Sequence, residues 1–564
     1  MSRFRFLRLI IVTVLALVLV AFAGSAQENG AEGIGDPYFP TMGNGGYDTS
    51  HYTIDVMVDM VGNTLDSDVK IEAVATQDLS TFNLDFYGYE IEGVTVNKLP
   101  AAFERDLRQG ELTIIPAVPL TAGEPFEVTV AYNGVPPRGN SNWRHYGDGV
   151  MVAGEPVGSS GWYPVNEHPS DKAAYTILVT IDDQWIVGSN GSLKQIRTND
   201  DGTLTYVWDS LDEMASYLVT VAIGDFIIDE GISEAGVPIR NFFASNLSAE
   251  YIEPFGLQGE MVDFFSTVFG PYPFNAYGSV VHDLETGFAL ETQTLSTFGN
   301  VFAGEGVIAH ELAHQWFGNS VSLELWQDIW LNEGFATYAS GLWFEHTRGG
   351  SAINDYVAGL YENIAGLEAP FQVEAQELRD FVSDLPLGDM TLSTDQITDG
   401  LTILLGDALD QEVLGAIMDS LPEGDIDGTE LARILQRLPL DTLRISRPLI
   451  REFLYAVDLG DFVEATRIRL GDPGQANLFS GIVYQRGALT LHALRLAVGD
   501  DDFFDILRTY TTRYAGAVVT TEDFISVAEE VSGQQLDDLF DAWLFQTELP
   551  DMPELELYAA DFLG

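Results

Sequence analysis

The sequence predicts a multidomain protein that is β-structured in its first part and mainly α-helical in its second, and three observations carry that expectation. The chain has 564 residues, and 46% apolar content with 11% aromatics supplies a large core. Up to about residue 225, apolar side chains recur at every second position, the period of a strand with one buried face. From about residue 249 the spacing changes to threes and fours, the period of an amphipathic helix.

In chain order, Arg3, Arg5 and Arg8 precede an apolar run from Leu9 to Ala23 and the small residues Gly24-Ser25-Ala26. This pattern predicts a secretory signal peptide over residues 1–26, because a membrane span needs about 20 apolar residues. Cleavage would remove three arginines and no acid. With no cysteine for disulfides or lipid attachment, the expected product is secreted, extracellular or periplasmic, and not stably inserted in a membrane. Residues 27–46 are rich in Gly and Asn and read as a flexible leader. Residues 47–225 form the predicted N-terminal β domain, on the runs Tyr52/Ile54/Val56/Val58, Val69/Ile71/Ala73, Phe126/Val128/Val130/Tyr132, Tyr175/Ile177/Val179/Ile181 and Tyr217/Val219/Val221. Helical spacing follows, as in Leu414/Ile417/Met418/Leu421 and Leu431/Ile434/Leu435/Leu438. Asp425-Ile426-Asp427-Gly428 has the look of a calcium loop, but Ile434 stands where its bidentate Glu belongs, so it reads as a helix N-terminus.

The charge is as informative as the pattern. There are 86 Asp+Glu against 26 Lys+Arg, a formal charge of -60, and the lysines are only Lys70, Lys98, Lys172 and Lys194. Such a surface repels polynucleotides and anionic membranes, which excludes nucleic acid as a partner. Scarce lysine and abundant acid suggest a protein suited to saline conditions, where salt screens self-repulsion.

The strongest chemical signal is His310-Glu311-Leu312-Ala313-His314, in a stretch of helix formers ending at Gly318-Asn319. Histidines four apart on a helix lie on one face, about one turn apart, where both imidazoles can bind one tetrahedral ion. Glu333, 19 residues after His314 at the start of a second predicted helix, is the candidate third ligand. Three protein ligands leave the fourth position to water, which is a catalytic zinc geometry. With eight histidines, an accidental match to the five-residue pattern is expected about 0.01 times. Glu311 points past such an ion and suits the role of general base on zinc-bound water.

These residues resemble the gluzincin metallopeptidases of the aminopeptidase N type. The resemblance runs from His310 through Trp316-Phe317-Gly318-Asn319 to Asn332-Glu333-Gly334-Phe335-Ala336. It also takes in Trp162-Tyr163-Pro164, His168-Pro169-Ser170-Asp171-Lys172 and Val483-Tyr484-Gln485-Arg486-Gly487. It implies a saddle-like N-terminal β-sandwich domain followed by a thermolysin-like α/β catalytic domain, here residues 226–564, with one zinc ion per chain. It further implies that Tyr484 stabilises the oxyanion, and that Glu291 in Phe288-Ala289-Leu290-Glu291-Thr292 and Glu155 bind the substrate's α-ammonium. Phe288 and Thr292 depart from the family's usual Gly and Asn. Glu333 and Tyr484 are 151 residues apart, more than the family normally has, which implies a helical insertion over residues 385–470. The chain stops soon after Pro550-Asp551-Met552-Pro553, so the resemblance implies no C-terminal helical domain and a more open cleft.

The expected function is a zinc aminopeptidase acting on peptides with a free N-terminus. A zinc endopeptidase with the same ligands is the nearer alternative, and a non-catalytic extracellular binding protein the more distant one.

Overall fold

The computed structural model describes residues 28–139, 141–300, 303–366, 371–374, 391–405, 442–445, 447–456 and 468–562, with isolated positions between 415 and 433. The signal-peptide segment lies outside the described residues. The chain divides into two compact units, Met1–Asn332 with Phe504–Val527 and Glu333–Phe503 with Ala528–Gly564.

The first unit is built on an eight-stranded sheet. Its spatial order is Ser192–Thr198, Leu204–Met214, Ala173–Ile181, Tyr47–Asp59, Thr64–Ala75, Pro125–Gly134, Glu90–Val96 and Leu99–Pro100. Only the central pair, Tyr47–Asp59 with Ala173–Ile181, is parallel. Register explains the period-two runs: Tyr175, Tyr52, Ile71 and Val128 stand in one cross-strand row, and all four are buried. Burying side chains of this size stabilises by roughly 1.5–3 kcal/mol each. A second sheet, Glu28–Asn29, Leu79–Asp85, Glu111–Ile115 and Ala102–Asp106, faces it, with Phe82 edge-on to Tyr47 and Phe126. The two make a β-sandwich.

Two expectations for this unit differ from what is observed. Tyr217/Val219/Val221 is not one strand: Ser216–Leu218 is a 3-10 turn, and the strand Val221–Gly224 begins after it. The Leu218 carbonyl is taken by Asn190 Nδ2 (2.9 Å) and Gln293 N–H (3.3 Å) instead of a ladder. The Gly- and Asn-rich stretch before residue 47, read as a flexible leader, contains the buried Asp36 and Asn44. Asp36 accepts the backbone N–H groups of Tyr38 (2.7 Å), Phe39 (3.1 Å) and Trp326 (2.9 Å).

The chain then forms a five-stranded sheet in the order Phe226–Ile232, Pro238–Ala244, Ser279–Val281, Ser296–Phe298 and Ala289–Leu290. Three of these strands have only two or three residues, too few for a period to show in the sequence. The helices Gln258–Phe269 and Glu305–Ala313 accompany this sheet.

The second unit is mainly helical, with helices Ser351–Gly366 and Gly481–Val498 packed together. Arg486 anchors the latter by donating to the carbonyls of Ala542, Trp543, Gln546, Thr547 and Glu548. Within the 385–470 segment, helix Thr394–Leu405 packs on helix Arg447–Ala456. Ile426–Asp427 pairs as a short strand with Thr391–Leu392, and the flanking Asp425 and Gly428 lie outside the described residues. Most of the segment, including nearly all of the two amphipathic runs between Leu414 and Leu438, lies outside the described residues. Among the described residues no helix is long and apolar enough to cross a membrane.

Candidate metal centre

The metal-ligating pattern lies on helix Glu305–Ala313, which follows the extended N-cap Gly304. His310 sits in its last turn and His314 is the C-cap, still in helical conformation. The helix ends earlier than Gly318: beyond it the chain makes a wide turn, with Asn319 N–H bonded to His314 O and Val321 N–H to Trp316 O. Gly318 has φ +116, which L side chains rarely adopt, and a Cβ there would lie 3.0 Å from Asn332 Nδ2.

Helix Trp330–Arg348 carries Glu333 in its first turn, where the helix dipole favours a carboxylate. Its start is tied down by Trp330 Nε1–H donating to Thr521 Oγ1 (2.9 Å), whose own hydroxyl donates to Asp328 (2.6 Å). His310, His314 and Glu333 each offer a ligand atom within 4.8 Å of the others. The two Nε2 atoms are 3.1 Å apart, close to the edge of a tetrahedron with metal–nitrogen bonds of about 2.0–2.1 Å. His314 Nδ1 lies 3.0 Å from Phe317 O, so that nitrogen carries the proton and Nε2 keeps its lone pair for a metal. Two imidazoles and one carboxylate are a donor set that fits zinc. Glu311, on the same helix, is 6% exposed.

Glu291 directly follows the edge strand Ala289–Leu290 and is buried. Glu155 is half-buried in the loop after strand Val150–Val152. Leu290 packs with Met151 and Ala153, so the segments carrying Glu291 and Glu155 adjoin. Phe288 belongs to the same cluster and lies under the Arg144 guanidinium (5.2 Å to the ring centroid), while Thr292 Oγ1 is hydrogen-bonded to Leu295 O and Thr297 Oγ1. Both departures from the family pattern are therefore built into local packing. Tyr484 is half-buried in the first turn of helix Gly481–Val498. A Cβ on Gly334 would lie 2.8 Å from Gly487 Cα, so the two helices meet backbone to backbone one residue after Glu333 and one turn after Tyr484.

Sequence reasoning did not single out Gln315, Asn319 or Lys172 as parts of this site. Gln315 and Asn319 both lie in the turn beyond the helix, and both amides reach the carbonyl of Glu291. Lys172, buried in the first unit, donates to the carbonyls of Asn319 and Ser320, both at 2.9 Å. Burial lowers its pKa to about 8.

An N-terminal β-rich domain followed by a mainly α domain with a His-His-Glu centre defines the architecture of a zinc metallopeptidase. The Peptidase M1 N-terminal domain matches residues 48–218, and the Peptidase family M1 domain matches residues 262–380 and 461–543. The chain belongs to peptidase family M1, and its metal is zinc. Human endoplasmic reticulum aminopeptidase 1 is 26% identical over 342 residues, 55% of this chain and 36% of that protein. Aminopeptidase A of Gloydius brevicauda is 23% identical over 414 residues, 70% of this chain and 34% of that protein. The chain thus spans about a third of the length of these curated relatives. The M1 zinc metallopeptidase of Deinococcus radiodurans, bound to a Tyr-Ser-Ala substrate in one mutant structure, has the same fold, with a TM-score of 0.70 and 24% identity over 93% of this chain and 100% of that one.

Proposed function

We propose that the protein is a zinc-dependent aminopeptidase that hydrolyses the first peptide bond of peptides with a free N-terminus. The observation that carries zinc-dependent hydrolysis is the convergence of His310, His314 and Glu333, with Glu311 between the two histidines; the adjoining segments of Glu291 and Glu155 favour the aminopeptidase over an endopeptidase with the same ligands. When bound, zinc supplies a Lewis acid that polarises the scissile carbonyl. Glu311 takes a proton from the attacking water and delivers it to the leaving amine. Tyr484 donates its hydroxyl hydrogen to the developing oxyanion, a reading supported by the touching backbones of Gly334 and Gly487. Glu291 and Glu155 hold the α-ammonium; their adjoining segments support that pairing. Two carboxylates placed there leave room for one residue before the scissile bond, which makes the activity exopeptidic.

The test is the variant Glu311→Gln, assayed with metal analysis. Wild type and variant are each expected to hold one zinc per chain, while the variant loses about 10²–10⁴-fold in kcat. Undiminished hydrolysis in the zinc-loaded variant would exclude this mechanism.

Secretion by way of residues 1–26 and a helical insertion over 385–470 belong to the same proposal. They concern where the enzyme works and what borders its cleft, and they leave the chemistry unchanged.

A further inference from the structure

The four residues Glu291-Thr292-Gln293-Thr294 follow the edge strand and are all buried. In an ordinary β-turn the first carbonyl would accept the fourth residue's N–H. Here the side-chain amide of Gln315 stands between the two. Gln315 Nε2 donates to Glu291 O (3.2 Å), and Gln315 Oε1 accepts from Thr294 N–H (2.9 Å). Asn319 Nδ2 adds a second donor to Glu291 O at 2.7 Å.

The other side of the turn is pinned as well. Asn190 Nδ2 donates to Gln293 O (2.8 Å), and Gly191 N–H donates to Thr294 Oγ1 (2.7 Å). Thr294 has φ +66, a left-handed conformation that a β-branched residue adopts only when its surroundings impose it. Gln315 is fully buried and adjoins the metal ligand His314 in sequence.

We propose that Gln315, with Asn319, is a positioning residue that fixes the ammonium-binding Glu291 in register with the metal-binding helix. One rigid amide spans the turn, so the distance from the bound amine to the metal, and with it the removal of a single residue, is set by the segment that directly follows the helix of His310 and His314. The inference rests on the reading of Glu291 as an ammonium-binding group.

The test uses the zinc-loaded, full-length enzyme. Gln315→Met keeps the side-chain length and removes both hydrogen-bonding groups, while Asn319→Ala removes one donor and serves as the milder variant. Each is expected to keep wild-type zinc content and to raise KM for a leucyl dipeptide by about tenfold or more, with a smaller change in kcat. In a Glu291→Gln background the same substitutions should add less than about twofold, because the group they position is already gone. If both variants hold zinc and leave KM unchanged while Glu291→Gln raises it, the positioning role is wrong and the reading of Glu291 stands. Losses that simply multiply in the double variants contradict the coupling. If Glu291→Gln leaves KM and the preference for a free amine unchanged, it is the reading of Glu291 that fails.

Discussion

Glu111 shows what burial does to a carboxylate in this protein. It faces Asp85 across the pair Leu79–Asp85 and Glu111–Ile115, is 4% exposed, and neither of its oxygens has a hydrogen-bond partner among the described residues. Burial, followed by the charges of Glu32 and Asp106, pushes its pKa from 4.5 to about 8. The folded state therefore keeps a proton that the unfolded state releases near 4.5. Stability falls as pH rises from about 4.5 to about 8, and the loss is complete above that window. Glu111→Gln, which cannot ionise, should raise the unfolding free energy at pH 8.5 by about 1–3 kcal/mol and leave it nearly unchanged at pH 4. Denaturant unfolding at the two pH values measures this, and an equal effect at both would contradict it. The cluster of His310, His314 and Glu333 was legible at this scale because its spacing is itself the chemistry. Gln315, Asn319 and Lys172 were not, because their partners are backbone carbonyls remote in sequence.

Helix Trp330–Arg348 abuts helix Gly481–Val498 at Gly334 against Gly487. An alanine at Gly334 would gain roughly 1 kcal/mol of helix propensity, yet its methyl carbon would sit 2.8 Å from Gly487 Cα and 2.9 Å from its carbonyl carbon. Backbone has to move to admit it, so a net loss of about 1–3 kcal/mol is expected. Because Glu333 precedes this contact, zinc affinity should fall as well. Thermal unfolding of the metal-free protein and a zinc titration measure the two effects; an alanine variant that is more stable and binds zinc as well would contradict the tight contact. Strands that bury one face along their full length, such as Tyr47–Asp59 and Ala173–Ile181, could be read from the sequence. The short strands of the five-stranded sheet could not, although the edge strand Ala289–Leu290 positions Glu291. The helix end near Gly318 was read from its glycine, whereas the helix stops at Ala313 and that glycine serves the wide turn beyond.

For the whole molecule, composition left local order unreadable. An excess of acid over base does not reveal that Asp36, in a Gly-rich stretch, is buried and holds the Trp326 backbone, since that depends on a partner hundreds of residues away. The charge of -60 makes a separate demand. At about 0.1 M salt the Debye length is about 10 Å, and at about 1 M it is about 3 Å, so self-repulsion among surface carboxylates is largely removed. The melting temperature should therefore rise as sodium chloride increases from about 0.1 M to about 1 M. A flat or falling curve would show that the acidity imposes no salt requirement.

The central claim, removal of single residues from a free N-terminus, is tested most directly by mass spectrometry of one decapeptide and its N-acetylated copy, each incubated with the zinc-loaded enzyme. The expected result is a ladder of products shortened one residue at a time from the N-terminus of the free peptide, with the acetylated copy intact. Internal cleavage of both peptides at equal rates would contradict it.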